Sequence, residues 1–189
     1  GPKAESIDTR SIAMLVLRPV ESADLHQLQR LARESLVGVT SLTDDCERLR
    51  ERIEQSCASF EKSVQSHGQE NYFFVLEDLT EQRLVGCSEI LATAGFTEPF
   101  YSLRNRPFTS ACRELNIEHG VPALSLCHDL SDHTLLRGFH INRMLERTPH
   151  SELLSRARLL FIATHPQRFA EAVITEIVRY STDQGHSPF

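Results

Sequence analysis

Apolar residues recur along this chain in two periods, and the switches between them mark out its elements. The run Leu15-Val16-Leu17 after Met14, closed by Pro19, predicts a short strand over residues 14–18. Leu25, Leu28, Leu31 and Ala32 then fall on one face of a helix, with Ser22 placed to cap it. Residues 37–42 have little helical character and read as a loop. A longer helix follows, with Thr43 as its cap and Asp44 and Asp45 favourable beside its N-terminal dipole. Its expected buried stripe is Leu49, Ile53, Cys57, Phe60 and Val64, and its other face is charged.

The period changes after this helix. Residues 72–76 and 83–92 read as a hairpin turning at 79–82, with Gly86 marking a bulge. Residues 95–106 read as a loop containing Glu98-Pro99-Phe100-Tyr101, and two strands are expected near 109–117 and 121–127. A strand at 135–141 then leads through a basic loop into a helix. That helix has Thr148 as N-cap, Pro149 at its first position, and an expected apolar face of Leu153, Leu154, Ala157, Leu160 and Phe161. A last strand is expected near 172–179. Helices, a run of antiparallel strands and then strand–helix–strand imply an α+β (α/β) fold, a mixed and mostly antiparallel sheet flanked by helices.

The junction between the strand at 135–141 and its helix is the first candidate for chemistry. Backbone N–H groups at a helix N-terminus attract phosphate, and Arg143 and Arg147 add positive charge there. The alternative is a solvated basic loop.

Composition narrows the function. The 189 residues suffice for one domain, expected over 14–189, with residues 1–13 read as an expression tag or disordered leader because they lack periodicity and open on Gly1-Pro2. A net charge of −6 and no basic stripe argue against a nucleic-acid binder. No apolar run approaches the roughly 20 residues that span a bilayer, and no signal peptide is visible, so no membrane association is expected. Five cysteines with no C-x-x-C pair argue against a disulfide framework and fit the cytoplasm. His128, Asp129, Asp132 and His133 match no standard zinc spacing and read as a turn, so no metal is expected. His128 and Asp129 also end the strand before the cofactor strand, which leaves them open as residues lining an active site. A triad of Cys112, His119 and Asp129 has nothing in the pattern to bring it together. The closing turn at 185–188 suggests a chain that continues.

A set of motifs adds a resemblance. They include Leu17-Arg18-Pro19, Gly38-Val39-Thr40-Ser41-Leu42, residues 72–78, Leu84-Val85-Gly86-Cys87 and residues 95–101. Residues 124–130, Arg158-Leu159-Leu160-Phe161, His165-Pro166, Arg168-Phe169-Ala170 and Ser187-Pro188-Phe189 complete it. In this order the chain resembles the bacterial arginine N-succinyltransferases, in particular the alpha subunit of the two-subunit arginine/ornithine form. The resemblance implies a GNAT-like acyl-CoA N-acyltransferase fold. It implies succinyl transfer from succinyl-CoA, as cosubstrate, to the α-amino group of L-arginine or L-ornithine in arginine catabolism. It also implies a homologous beta subunit as partner, or self-association through an open sheet edge at 172–179.

The resemblance places the acyl-CoA contact on the strand at Phe139, with His140 and Ile141 beside it and Arg143 and Arg147 at the phosphates. Glu98, Tyr101 and Arg104 are the substrate candidates: a carboxylate suits guanidinium, and an arginine suits the α-carboxylate. The alternative for these three is an ordinary surface loop. Two departures stand out. Pro149, His150 and Ser151 occupy the place of the glycines of a GNAT pyrophosphate loop, and Pro149 lacks an N–H. The chain also ends about halfway along the family's length, before the histidine that the family assigns as proton donor. Two further readings stay open: a largely non-catalytic supporting or regulatory subunit, and a GNAT-like enzyme with another acyl donor.

Overall fold

A computed structural model describes residues 14–35, 41–96, 102–112 and 117–176, with backbone only between 102 and 126. Its centre is a five-stranded sheet in the order β1-β2-β3-β6-β7, built from β1 (Leu15–Pro19), β2 (Asn71–Asp78), β3 (Arg83–Leu91), β6 (Thr134–Ile141) and β7 (Val173–Thr175). The first three junctions are antiparallel and β6–β7 is parallel. The remaining strands, β4 (Ser102–Cys112) and β5 (Ile117–Cys127), form a separate antiparallel hairpin. Helices α1 (Leu25–Glu34) and α2 (Cys46–Glu61) pack on one face of the sheet and α3 (Pro149–Thr164) on the other. This is the expected α+β plan of a mixed, mostly antiparallel sheet flanked by helices.

Strand β2 sits between β1 and β3 and is apolar on both faces. Phe73 and Val75 join Leu28, Leu31, Leu49 and Ile53 under α1 and α2. Tyr72 and Phe74 meet Phe161 and Ile162 of α3, and Leu76 meets Leu154. Burying each such side chain contributes roughly 1.5–3 kcal/mol, so this strand anchors both layers.

The local readings need several corrections. Ser22 does not cap α1. Glu21 and Asp24 form a capping box around a 3-10 turn at Ser22–Asp24, and the buried Asp24 also takes Arg18 at 2.8 Å. The cap of α2 is Asp45, which accepts from the Arg48 N–H at 2.9 Å; Thr43 instead accepts from the Asp45 N–H at 3.1 Å. The buried positions of α2 are Leu49, Ile53, Ser56 and Ser59; Cys57 and Phe60 are half-buried, and Val64 lies past the helix end. The serines are there for the backbone: β1 stops opposite Phe74, and the N–H groups of Phe73 and Asn71 go to Ser56 Oγ (2.8 Å) and Ser59 Oγ (3.3 Å).

Helix α3 differs most from expectation. Thr148 is its N-cap and Pro149 its first residue, as expected, but its buried side is Leu154 and Arg158, with Phe161 and Ile162 partly buried. Leu153 is 48% and Leu160 67% exposed, so two of the five residues of the expected face point outward. Leucines at 153, 154, 159 and 160 offer two stripes at helical spacing, and periodicity alone does not choose between them. Residues 102–106, expected as loop, already belong to β4. Residues 1–13, most of the loop at 37–42 and the end of the last expected strand lie outside the described residues. No helix among the described residues is long and apolar enough to cross a membrane.

Candidate acyl-donor site

The parallel pairing of β6 with β7 runs through Thr134↔Val173, Leu135↔Ile174 and Leu136↔Thr175, and among the described residues it stops there. The Glu176 N–H closes it on the Leu136 carbonyl at 2.8 Å. Past this point β6 keeps β3 on one side, and on the other its Gly138 N–H goes to side chains and not to strand backbone among the described residues.

A bulge sits at this edge of β6. Between the pairs Glu89↔Arg137 and Cys87↔His140, the two residues Gly138 and Phe139 oppose the single residue Ser88. Gly138 has φ of +61°, a conformation that any other residue adopts only under strain. The Gly138 N–H is donated to side chains, Ser41 Oγ at 3.0 Å and the Glu176 carboxylate at 3.2 Å. Glu176 also accepts from the Ser41 N–H and hydroxyl, both at 2.9 Å. The bulge re-aims the backbone of Phe139 relative to the sheet, which is what a strand needs to present a donor or acceptor to a ligand at its edge.

On the α1/α2 side the bulge rests on a charge cluster. Glu89 is fully buried and takes Arg137 at 2.7 Å and 3.0 Å on one oxygen and Arg52 on the other. Arg52 also donates to the Ser41 carbonyl at 2.8 Å. Burial alone would raise the Glu89 carboxyl, but the two guanidinium groups outweigh it and hold it below the usual range. Burial pushes the Cys87 thiol, beside Gly138, up to about 12, so it stays protonated and supplies no nucleophile.

The α3 side is built differently. The Phe139 side chain packs near Leu76, Val85, Ile141 and Leu154, and the Arg158 guanidinium lies over its ring, 5.5 Å from the centroid. Helix α3 comes this close because β3 has Gly86 opposite it, where an added Cβ would fall 2.9 Å from Leu154 Cδ2 and 3.1 Å from the His140 carbonyl. The bulge predicted at Gly86 is present, between Leu76↔Gly86 and Glu77↔Leu84.

The five cofactor candidates therefore lie along one path from β6 into α3. Phe139 is at the bulge. His140 Nε2 lacks a hydrogen-bond partner among the described residues; burial lowers its pKa below the ordinary value, partly opposed by Glu34 and Glu146. The Ile141 side chain is core, and its backbone pairs with Gly86. Arg143, in a 3-10 turn at Arg143–Leu145, and Arg147 are both exposed just before α3. At the N-terminus itself Pro149 has no N–H and the Ser151 N–H is donated to the Thr148 carbonyl at 3.1 Å, so fewer free donors face an anion than in a glycine loop.

Glu98 and Tyr101 lie outside the described residues, and Arg104 is on β4 opposite Ser125 with its side chain undescribed. His128, Asp129, Asp132 and His133 lie in the turn expected of them, where Asp132 has φ of +66° and His133 Nδ1 is 3.0 Å from the Ser131 carbonyl. Ser41, Arg52, Glu89, Arg137, Arg158 and Glu176 were not singled out as site residues. The available signal was a charged residue at an inward position, Glu89 in a strand and Arg158 one turn after Leu154.

Comparison with known proteins fits this geometry. The family described as "Arginine N-succinyltransferase beta subunit" matches residues 15–189. The chain is 57% identical over 176 residues to Arginine N-succinyltransferase subunit alpha of Pseudomonas aeruginosa, covering 93% of this chain and 52% of that protein. It is 37% identical to subunit beta of the same organism, covering 93% of this chain and 51% of that one. The structure of arginine/ornithine succinyltransferase subunit AI from Pseudomonas aeruginosa superposes with a TM-score of 0.86 at 57% identity, over 94% of this chain and 54% of that one. This chain thus spans about half the length of the relatives it matches, and it belongs to the arginine N-succinyltransferase family.

Proposed function

We propose that this chain carries the acyl-donor half of an arginine N-succinyltransferase, using succinyl-CoA to succinylate the α-amino group of L-arginine or L-ornithine in the cytoplasm. The observation that carries this reading is the edge of β6 beyond Leu136, where the Gly138 N–H goes to side chains, with the Gly138–Phe139 bulge beside it. A cleft at this edge would fit an extended pantetheine arm that pairs with strand backbone, as a peptide adds to a sheet edge. Phe139, His140 and Ile141 would line the arm, and Arg143 and Arg147 would meet the phosphates.

The neutral amine attacks the thioester carbonyl, an N–C bond forms, the C–S bond breaks, and the proton lost by nitrogen ends on the CoA thiolate. Holding both reactants in line and donating a hydrogen bond to the carbonyl oxygen supply most of what such a reaction needs. Glu98, Tyr101 and Arg104 remain the candidates for holding the amino acid. Assembly with a homologous subunit or a second copy is supported by the outward leucines of α3, with Leu160 67% exposed. A sedimentation profile of a concentration-independent monomer would count against it.

A supporting-subunit reading has one observation in its favour, the N–H groups lost at Pro149 and Ser151. Calorimetric titration with succinyl-CoA, acetyl-CoA and CoA decides between the two. Binding that favours succinyl-CoA supports the donor site here, whereas binding of none of the three supports the supporting role.

A further inference from the structure

Arg158 is a buried cation, 4% exposed, that takes part in no ion pair among the described residues; the Glu176 carboxylate acts on it only through space. Its hydrogen bonds among the described residues are two long ones to its own helical turn, to the Ser155 carbonyl at 3.4 Å and Ser155 Oγ at 3.3 Å. A guanidinium has five donors in a fixed fork, so most of its capacity is unused. Burial without a partner is expensive for a charge, and here it lowers the Arg158 pKa to about 10.

Its position gives the unused capacity a direction. The guanidinium stacks over Phe139, whose backbone is the acyl-donor candidate, and so stands beside the bulge. The nearest fixed anions are already taken. Glu89 is saturated by Arg52 and Arg137, and Glu176 is held by Ser41 and the Gly138 N–H. The other buried or half-buried arginines near the sheet are also committed, Arg18 to Asp24 and Glu77 and Arg168 to Ser59 and Lys62 carbonyls and Tyr72.

We infer that Arg158 receives the terminal carboxylate of a dicarboxylic acyl donor bound in the cleft, and so distinguishes succinyl-CoA from monocarboxylic thioesters. The inference rests on the donor-site reading above. In a succinyl thioester the free carboxylate lies three C–C bonds from the thioester carbonyl, roughly 4 Å away when extended. A carbonyl held at the Phe139 backbone therefore puts the carboxylate within the width of the phenyl ring from its guanidinium neighbour. A planar fork is the geometry that takes a carboxylate through two parallel hydrogen bonds. An acetyl group leaves the fork empty.

The test compares Arg158→Met, Arg158→Gln and Arg158→Lys with the parent in the full-length polypeptide, by calorimetry with succinyl-CoA, acetyl-CoA and CoA. The quantity read is the ratio of succinyl-CoA to acetyl-CoA affinity within each variant, which does not depend on how much of the variant is folded. The expected result is a roughly 10- to 100-fold loss of succinyl-CoA affinity in the methionine and glutamine variants. Acetyl-CoA and CoA should stay within about twofold of the parent, and lysine should restore part of the preference. An unchanged ratio, or equal loss for all three ligands, overturns the inference and leaves Arg158 as a packing residue on Phe139. If the parent protein binds none of the three, the donor-site reading fails first and this one with it.

Discussion

The two faces of β6 handle buried charge in opposite ways. Toward α1 and α2, Glu89 is held by Arg52 and Arg137, and Glu176 by Ser41 and a backbone N–H, so each charged group is answered by another group of the protein. Toward α3, Arg158 is nearly as deeply buried as Glu89, but among the described residues it touches a phenyl ring and its own helical turn and meets Glu176 only through space. A closed cluster fixes geometry and has nothing left to offer a ligand; an open one costs stability and keeps a binding site ready. The difference assigns the first face to shaping the bulge and the second to recognition.

The largest test of this contrast is Glu89→Ala. It leaves two largely buried guanidinium groups unpaired and should cost about 3–5 kcal/mol in urea denaturation. A loss under about 1 kcal/mol would mean that the cluster is not closed. Next comes Gly86→Ala, whose new methyl group would meet Leu154 and the His140 carbonyl. Pushing α3 off β3 should destabilise by about 1–3 kcal/mol, and lowered succinyl-CoA affinity in the same variant would tie Arg158 to the seating of α3.

Gly138→Ala acts on the other face. A Cβ there has room, 3.6 Å from its nearest neighbours, but φ of +61° makes it strained by about 1–2 kcal/mol. Thermal melting should show that cost, and an unstrained variant would mean that the bulge had relaxed. Arg158→Met should change the stability of the ligand-free protein by less than about 1 kcal/mol, because no ion pair is broken. A loss above about 2 kcal/mol would make Arg158 structural.

The smallest effect is a pH dependence. Burial holds the folded-state pKa of His140 below its ordinary value of 6.5, so the unfolded chain takes up the proton first. Stability should therefore be complete above about pH 6.5 and decline as the pH falls below it. His140→Gln should flatten that part of the profile, and an unchanged slope between pH 5 and 6.5 would assign it to another group.

Much of this was legible in the sequence because it is local. The apolar run at residues 72–76, the turn at 79–82, and Thr148-Pro149 at the start of α3 are decided by neighbours a few positions away. The junction of β6 and α3 was found for the same reason. The charge clusters were not, because Arg52, Glu89 and Arg137 come together only through strand register, 37 and 48 positions apart. Arg158 was missed because an apolar periodicity search assigns arginine to the solvent face. Ser56 and Ser59 were missed likewise, since a small polar residue in a helix gives no hint that a strand's orphaned N–H lies opposite.

The Glu176 carboxylate also bears on how the molecule forms. It ties together Ser41, Gly138 and the end of β7, residues up to 135 positions apart. Contacts of such sequence separation are closed against a large loss of chain entropy and belong to the slow, late part of folding. This edge of β6 is thus set only when the segment that opens at Ser41 and the end of β7 have met. The Gly138 amide, whose proton is shared between Ser41 and Glu176, is a single reporter of that event, and in pulsed hydrogen exchange its protection should follow that of the β2–β3 hairpin.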